Sequence, residues 1–391
     1  MYKRQAAYNP ATGTANYTNP PMDRYYSCQS CHMRPVTGKG ANKRDAPVRS
    51  DLPLHDMTGG NYWMPEAIEW LDARGLLRLG GGMSNQQIQA MRDGALRAKE
   101  QLQLAATLDV DGNTVRIINH TGHKLITGYP EGRRMWLQIE WLNASGGEIH
   151  TDGDYGPITV LIDDVPMDVN SILDLSGSNT KIYEAHMGMT QEWAARLVAE
   201  PFNVPAGLVL QYDRYNGQSK ATLGDLAAMA PGSKMATFHF ALNNTVVHDN
   251  RIPPYKMNQA TAIERNAAPV PLDEYPVDAS GNYPYFDEVT LKPPAGAVAA
   301  NIRLRYQPTS WEYNQFLYEA NDQDNSFLGQ EGKNMLDAWL DLDLEMENSM
   351  AEPFVMASAT WGNAEPGCDL DPPTLDSAIA GQGQVTLDWS G

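Results

Sequence analysis

Two of the three cysteines in this 391-residue chain stand three residues apart with a histidine directly behind them, in YYSCQSCHMRP at 25–35. Nothing else in the sequence restricts the fold so strongly. Whatever Cys28, Cys31 and His32 serve must be reached by all three at once. Covalent haem attachment uses this spacing: two thiols add to the vinyl groups of a haem, and the adjacent histidine is aimed at its iron. A zinc site wants a second close ligand pair, and none follows at knuckle spacing. A redox dithiol opens a helix in a βαβ context, whereas Pro, Gly and Asn dominate both flanks here. A structural disulfide and coincidence are the remaining readings. The complete Cys-x-x-Cys-His form and the scarcity of cysteine elsewhere favour haem c as the cofactor.

The flanking chain agrees with that choice. Residues 6–65 are rich in Pro, Gly, Asn and Tyr and show little periodicity. Such a segment lacks a core of its own, and a large apolar macrocycle bonded to it supplies one. Helical patterns follow: MPEAIEWLDARGLLRLG at 64–80, then a longer helix from Ser84, which reads as an N-cap, with Ile88, Met91, Leu96, Leu102 and Leu104 as its apolar positions.

From about residue 107 the texture becomes short β-branched and aromatic runs between turn signals. This predicts an antiparallel sandwich-like region over 107–352, with inserted helices at QEWAARLVAEPF and LGDLAAMA and two late helices at WEYNQFLYEAN and NMLDAWLDLDLEMENS. The fold class is therefore α+β, with a haem-binding segment at 1–106. Residues 353–370 read as a linker. Residues 371–391 resemble the opening two strands of a fibronectin type III-like domain.

A net charge of −19 excludes nucleic acid and anionic membrane surfaces as partners. No run of about 20 apolar residues spans a membrane. MYKRQAAYNP lacks the apolar stretch of a leader peptide. Both ends read as cut, MYKRQ resembling adapter-derived sequence and VTLDWSG stopping inside a strand pattern, so we expect the chain to continue upstream. Covalent haem attachment takes place outside the cytoplasm, which implies a periplasmic or extracellular protein.

An iron held by His32 alone has one open axial position. His55, 23 residues on in the same loop-rich segment, is the first candidate, with Met57, Tyr62 and Trp63 near enough in sequence to flank a porphyrin. His123 is the second, in NHTGHKLITGYPEGRR, where glycines permit close backbone approach to a flat ligand. Arg133 and Arg134 in the same stretch suit haem propionates or, equally, surface ion pairs. His186, His239 and His248 read as structural. Any of these histidines also suits a haem carried elsewhere. The acidic turns DVDGN and DGDYG read as β-turns rather than calcium sites.

YYSCQSCHM, DLPLHDMTGGN, TGHKLITGYPEGRRMWL, DNRIPP and YQPTSWEYNQFLYEAN together resemble the C-terminal region of bacterial multihaem c-type cytochromes, over roughly residues 8–362. The resemblance implies that Cys28 and Cys31 hold the haem, that His32 ligates iron, and that a second histidine completes six-coordination. Members of that family carry several Cys-x-x-Cys-His motifs and this chain carries one, which points to further haem domains upstream or to a single-haem descendant. Electron transfer to a basic redox-partner protein is the function expected. A haem enzyme acting on a small nitrogen, sulfur or peroxide substrate, and a binding or adhesion scaffold stapled by haem, are the alternatives.

Overall fold

The computed structural model describes residues 28–176, 180–321, 323–345 and 352–363, with short strand segments at 3–4, 7–9, 14–16, 25–26, 374–381 and 384–390. Its class is α+β, with antiparallel strand pairing throughout the described sheets.

The long amino-terminal helix, Asn85–Gln103, begins where its chemistry says it should. The Ser84 side chain accepts from the Gln87 amide, and the Gln87 side chain accepts from the Ser84 amide, a capping box. Its buried face differs from the expected stripe. Ala95, Ala98 and Leu102 face inward while Leu96 is exposed. Small residues on that face allow close approach: a Cβ placed on Gly60 would come within 2.7 Å of Leu102. The preceding helix, Trp63–Ala73, stops well short of residue 80. Gly75 follows it at φ +67, the left-handed conformation that ends a helix, and Leu76 and Leu79 are exposed beyond it.

The stretch between the cysteines and these helices is not all loop. Pro35–Lys39 and Val48–Pro53 pair as an antiparallel hairpin. Leu54 then donates to the Arg34 carbonyl at 2.9 Å, which returns the chain to the end of the Cys28–His32 helix.

The main sheet runs Glu148–Asp152, Arg134–Leu142, Ala299–Gln307, Phe354–Gly362, with Ile182–Tyr183 also paired to Arg134–Leu142. Phe354–Gly362 corrects the reading of 353–370 as linker. Its pattern of alternating burial makes it a strand with one covered face. It lies against Ala106–Asp111 of a second sheet ordered Phe286–Thr290, Thr114–Asn119, Ala106–Asp111. Trp361 donates across to Asn113 at 2.9 Å. Turns at 111–113 and 152–154 join strands in the way the acidic DVDGN and DGDYG stretches predict.

One buried cluster unites the two regions. Trp63 and Trp70, Leu102, sheet residues Leu137, Ile302 and Leu304, and Trp311 and Trp339 of the helices Trp311–Glu319 and Glu331–Glu345 belong to the same core. Tyr62 and Trp63, expected beside a porphyrin, are 1% and 2% exposed and are core residues instead. Thr374–Gly381 and Gln384–Ser390 form an antiparallel hairpin. Cys368 and the stretch 364–370 lie outside the described residues. Among the described residues, no helix is long and apolar enough to cross a membrane.

Candidate functional site

Cys28–His32 is a single turn and a half of helix. Positions i, i+3 and i+4 share a helix face, so this short element presents both thiols and the imidazole in one direction. Neither Cys28 nor Cys31 is in a disulfide. Burial, and secondarily Cys28, pushes the Cys31 thiol up, so Cys31 is held as a neutral thiol. The five-residue helix is anchored from its carboxyl side. Arg34 pairs with Glu100 at 2.6 Å and donates to the Arg97 carbonyl at 3.0 Å, both in the last turns of Asn85–Gln103.

His32 Nδ1 lies 2.6 Å from the Thr58 carbonyl. A carbonyl only accepts, so Nδ1 carries the proton and Nε2 carries the in-plane lone pair, the arrangement of a metal-ligating imidazole.

His123 lies alongside His32. It sits in the connection between Thr114–Asn119 and Arg134–Leu142, two strands of different sheets. Asn119, fully buried, organises that connection. Its side-chain amide donates to the carbonyls of His123 and Ile252 at 2.9 Å and lies 3.1 Å from that of Pro253. Its side-chain oxygen accepts from the Thr121 amide at 2.7 Å. His123 Nδ1 lies 3.1 Å from the Lys124 carbonyl, so its Nε2 also bears the lone pair. The next residue is pinned: Lys124 pairs with buried Asp249, which Arg251 holds at 2.6 Å.

The rings of His32 and His123 have centroids 6.4 Å apart and planes 24° from parallel. The rings are stacked neighbours, and the two tautomers leave each Nε2 with a lone pair. The donor set, two thiols one helical turn apart and two Nε2 lone pairs, fits a haem c.

The other expected site residues fall differently. His55 is exposed in the turn after Val48–Pro53, and among the described residues no ring contact or hydrogen bond joins it to His32. Met57 is exposed as well. His120 is buried, its Nε2 bonded to the Thr107 hydroxyl at 2.8 Å, and burial pulls its pKa down to about 4. Arg133 is half-buried, donates to the Thr127 hydroxyl at 2.8 Å, and remains in the His123 connection. Arg134 corrects the propionate expectation. Successive residues entering a strand point to opposite faces. Arg134 is accordingly buried between Glu312 at 3.0 Å and Glu184 at 3.6 Å.

Arg134 lines a second concavity, a cavity of about 320 Å³ that also touches Glu184, His186, Arg214 and Glu312. Arg214 pairs with Glu312 at 2.7 Å, and His186 with Glu184 at 2.8 Å. Burial alone would raise the Glu184 carboxyl; His186 and Arg134 overcome it and bring the carboxyl to about 2. The charges alternate and answer one another, as in a structural ion-pair chain. His248 lies beside His186 with ring centres 5.8 Å apart and planes tilted by 33°, and His239 is bonded to the Val209 carbonyl at 2.9 Å.

Among the described residues, no group of three or more His, Cys, Asp or Glu is placed to hold a metal ion. Thr58, Asp56, Arg97 and Asn119 were not distinguishable in the sequence. Each acts through backbone groups or through a partner more than 25 residues away, a relation without a local signature.

No protein-family profile matches the chain, and no curated protein matches it. A solved structure to which it is similar is that of a penta-heme cytochrome c552 from Thermochromatium tepidum. Identity is 11%, with 89% of this chain and 80% of that chain covered, at a TM-score of 0.29. So low a score carries no argument about fold or function.

Proposed function

We propose that this chain is an exported c-type cytochrome, or a piece of one, that transfers electrons through a haem bonded to Cys28 and Cys31 and ligated by His32 and His123. The observation that carries the reading is the placement of two imidazoles side by side, each with Nδ1 tied to a backbone carbonyl. A bound haem supplies one-electron chemistry at iron. His32 and His123 would hold the iron from both sides, leaving no position for a substrate, which favours electron transfer over chemistry on a substrate. Hydrogen bonds from Nδ1 to the carbonyls of Thr58 and Lys124 make both imidazoles more basic ligands, which stabilises the oxidised state. Arg133, in the His123 connection, suits a propionate.

With a net charge of −19, the surface suits a basic partner protein and an encounter that weakens with salt. Covalent attachment places the protein in the periplasm or outside the cell. The hairpin at 374–390 suits the start of a fibronectin type III-like spacer.

Carbon monoxide tests the ligand assignment. The absorption spectrum of the reduced wild-type protein is expected to ignore it, and that of His123→Ala to show an adduct. His55→Ala is expected to behave as wild type. A wild-type adduct would mean an open axial position and favour the enzyme reading. An adduct in His55→Ala with none in His123→Ala would make His55 the ligand.

A further inference from the structure

We propose that Asp56 and Arg97 are positioning residues for His32, acting through Thr58, and that they set the electron-donating strength of that imidazole; this rests on the haem reading above. Thr58 lies in neither helix nor strand, and Met57 before it has φ +50, so the local backbone does not by itself fix the Thr58 carbonyl. Side chains fix it. The Asp56 carboxylate accepts from the Thr58 hydroxyl and lies 3.4 Å from the Thr58 amide. Arg97 Nε holds Asp56 at 2.5 Å.

The other end of the His32–Thr58 bond is tied to the same helical turn. Arg34, two residues after His32, reaches Glu100 at 2.6 Å and the Arg97 carbonyl at 3.0 Å. Donor and acceptor of the 2.6 Å bond are therefore both clamped to residues 97–100 of Asn85–Gln103, a helix whose Ala95, Ala98 and Leu102 are seated in the core. The clamp holds the bond short and the ring at a fixed rotation. A short Nδ1–H···O=C bond shifts electron density onto the imidazole and favours ferric over ferrous iron. Loosening it makes reduction easier.

Thr58→Val is the test. It keeps the backbone carbonyl, the side-chain shape and the net charge, and removes the hydroxyl that Asp56 holds. The midpoint potential of haem-loaded protein is read by spectroelectrochemistry, alongside the electron paramagnetic resonance of the oxidised state. The equilibrium constant for reduction is expected to rise about threefold, or about 28 mV at 59 mV per tenfold for one electron. A second low-spin signal is expected as His32 gains freedom to turn. Thr58→Ser is expected to restore the wild-type potential. A haem-loaded Thr58→Val with wild-type potential and a single unchanged signal overturns the positioning role and leaves the haem reading standing. Wild-type protein whose mass contains no haem overturns both.

Discussion

Asn119→Ala is expected to destabilise the fold by about 3–5 kcal/mol and to loosen His123 at the same time. Asn119 is 0% exposed. Its two amide protons serve carbonyls at 2.9, 2.9 and 3.1 Å, and its oxygen serves the Thr121 amide at 2.7 Å. Alanine leaves the Thr121 amide and the Pro253 carbonyl without those partners in a dry setting, while the Ile252 and His123 carbonyls keep the Leu125 amide and the Thr121 hydroxyl. Each such loss costs about 1–3 kcal/mol, and a water drawn into the vacated space recovers part of the total. Urea unfolding followed by tryptophan fluorescence measures the loss. Gln86→Ala, on the exposed face of Asn85–Gln103, is the control and is expected within about 0.5 kcal/mol of wild type. Carbon monoxide binding to reduced Asn119→Ala reports on His123 separately. A loss below about 1 kcal/mol with ligation unchanged would refute the claim that Asn119 organises this connection.

Two glycines of the same connection separate strain from mere proximity. Gly132 has φ +68, and a Cβ there would lie 2.3 Å from the Tyr313 ring, so Gly132→Ala is expected to cost about 2–4 kcal/mol. Gly128→Ala meets nothing within 4 Å and is expected to be nearly neutral; equal thermal melts for the two variants would contradict this. Glu131 is 4% exposed and burial raises its carboxyl to about 7, above the 4.5 expected of the unfolded chain. The protonated form favours the folded state. Its contribution is complete below about pH 4.5 and is lost as pH rises through about 7, about 3 kcal/mol in all. Glu131→Gln is expected to remove that slope from stability measured against pH, and an unchanged slope would count against it.

The sequence disclosed what is local. Ser84 announces a helix start, and Cys28, Cys31 and His32 declare their shared chemistry within five residues. The late helices follow from their own apolar spacing. What it concealed is relational. The buried face of Asn85–Gln103 is set by Gly60, which lets Leu102 close in, rather than by the largest apolar residues of the helix. Phe354–Gly362 reads as a linker until Ala299–Gln307 offers it hydrogen bonds and Ala106–Asp111 covers one of its faces. His55 is near His32 along the chain and His123 is not. Sequence proximity favoured the first, while a connection between two sheets brings the second alongside. Arg133 and Arg134 are adjacent in sequence, yet the strand that begins at Arg134 turns the second into a buried ion pair.

The central claim is that a haem is bonded through Cys28 and Cys31. Its most direct test is the intact mass of the denatured chain after expression in a periplasm able to mature c-type cytochromes. The account predicts the polypeptide plus one haem, with the added mass on the peptide containing residues 28–32 and lost in Cys28→Ala/Cys31→Ala. A colourless protein with the mass of the bare polypeptide would contradict it.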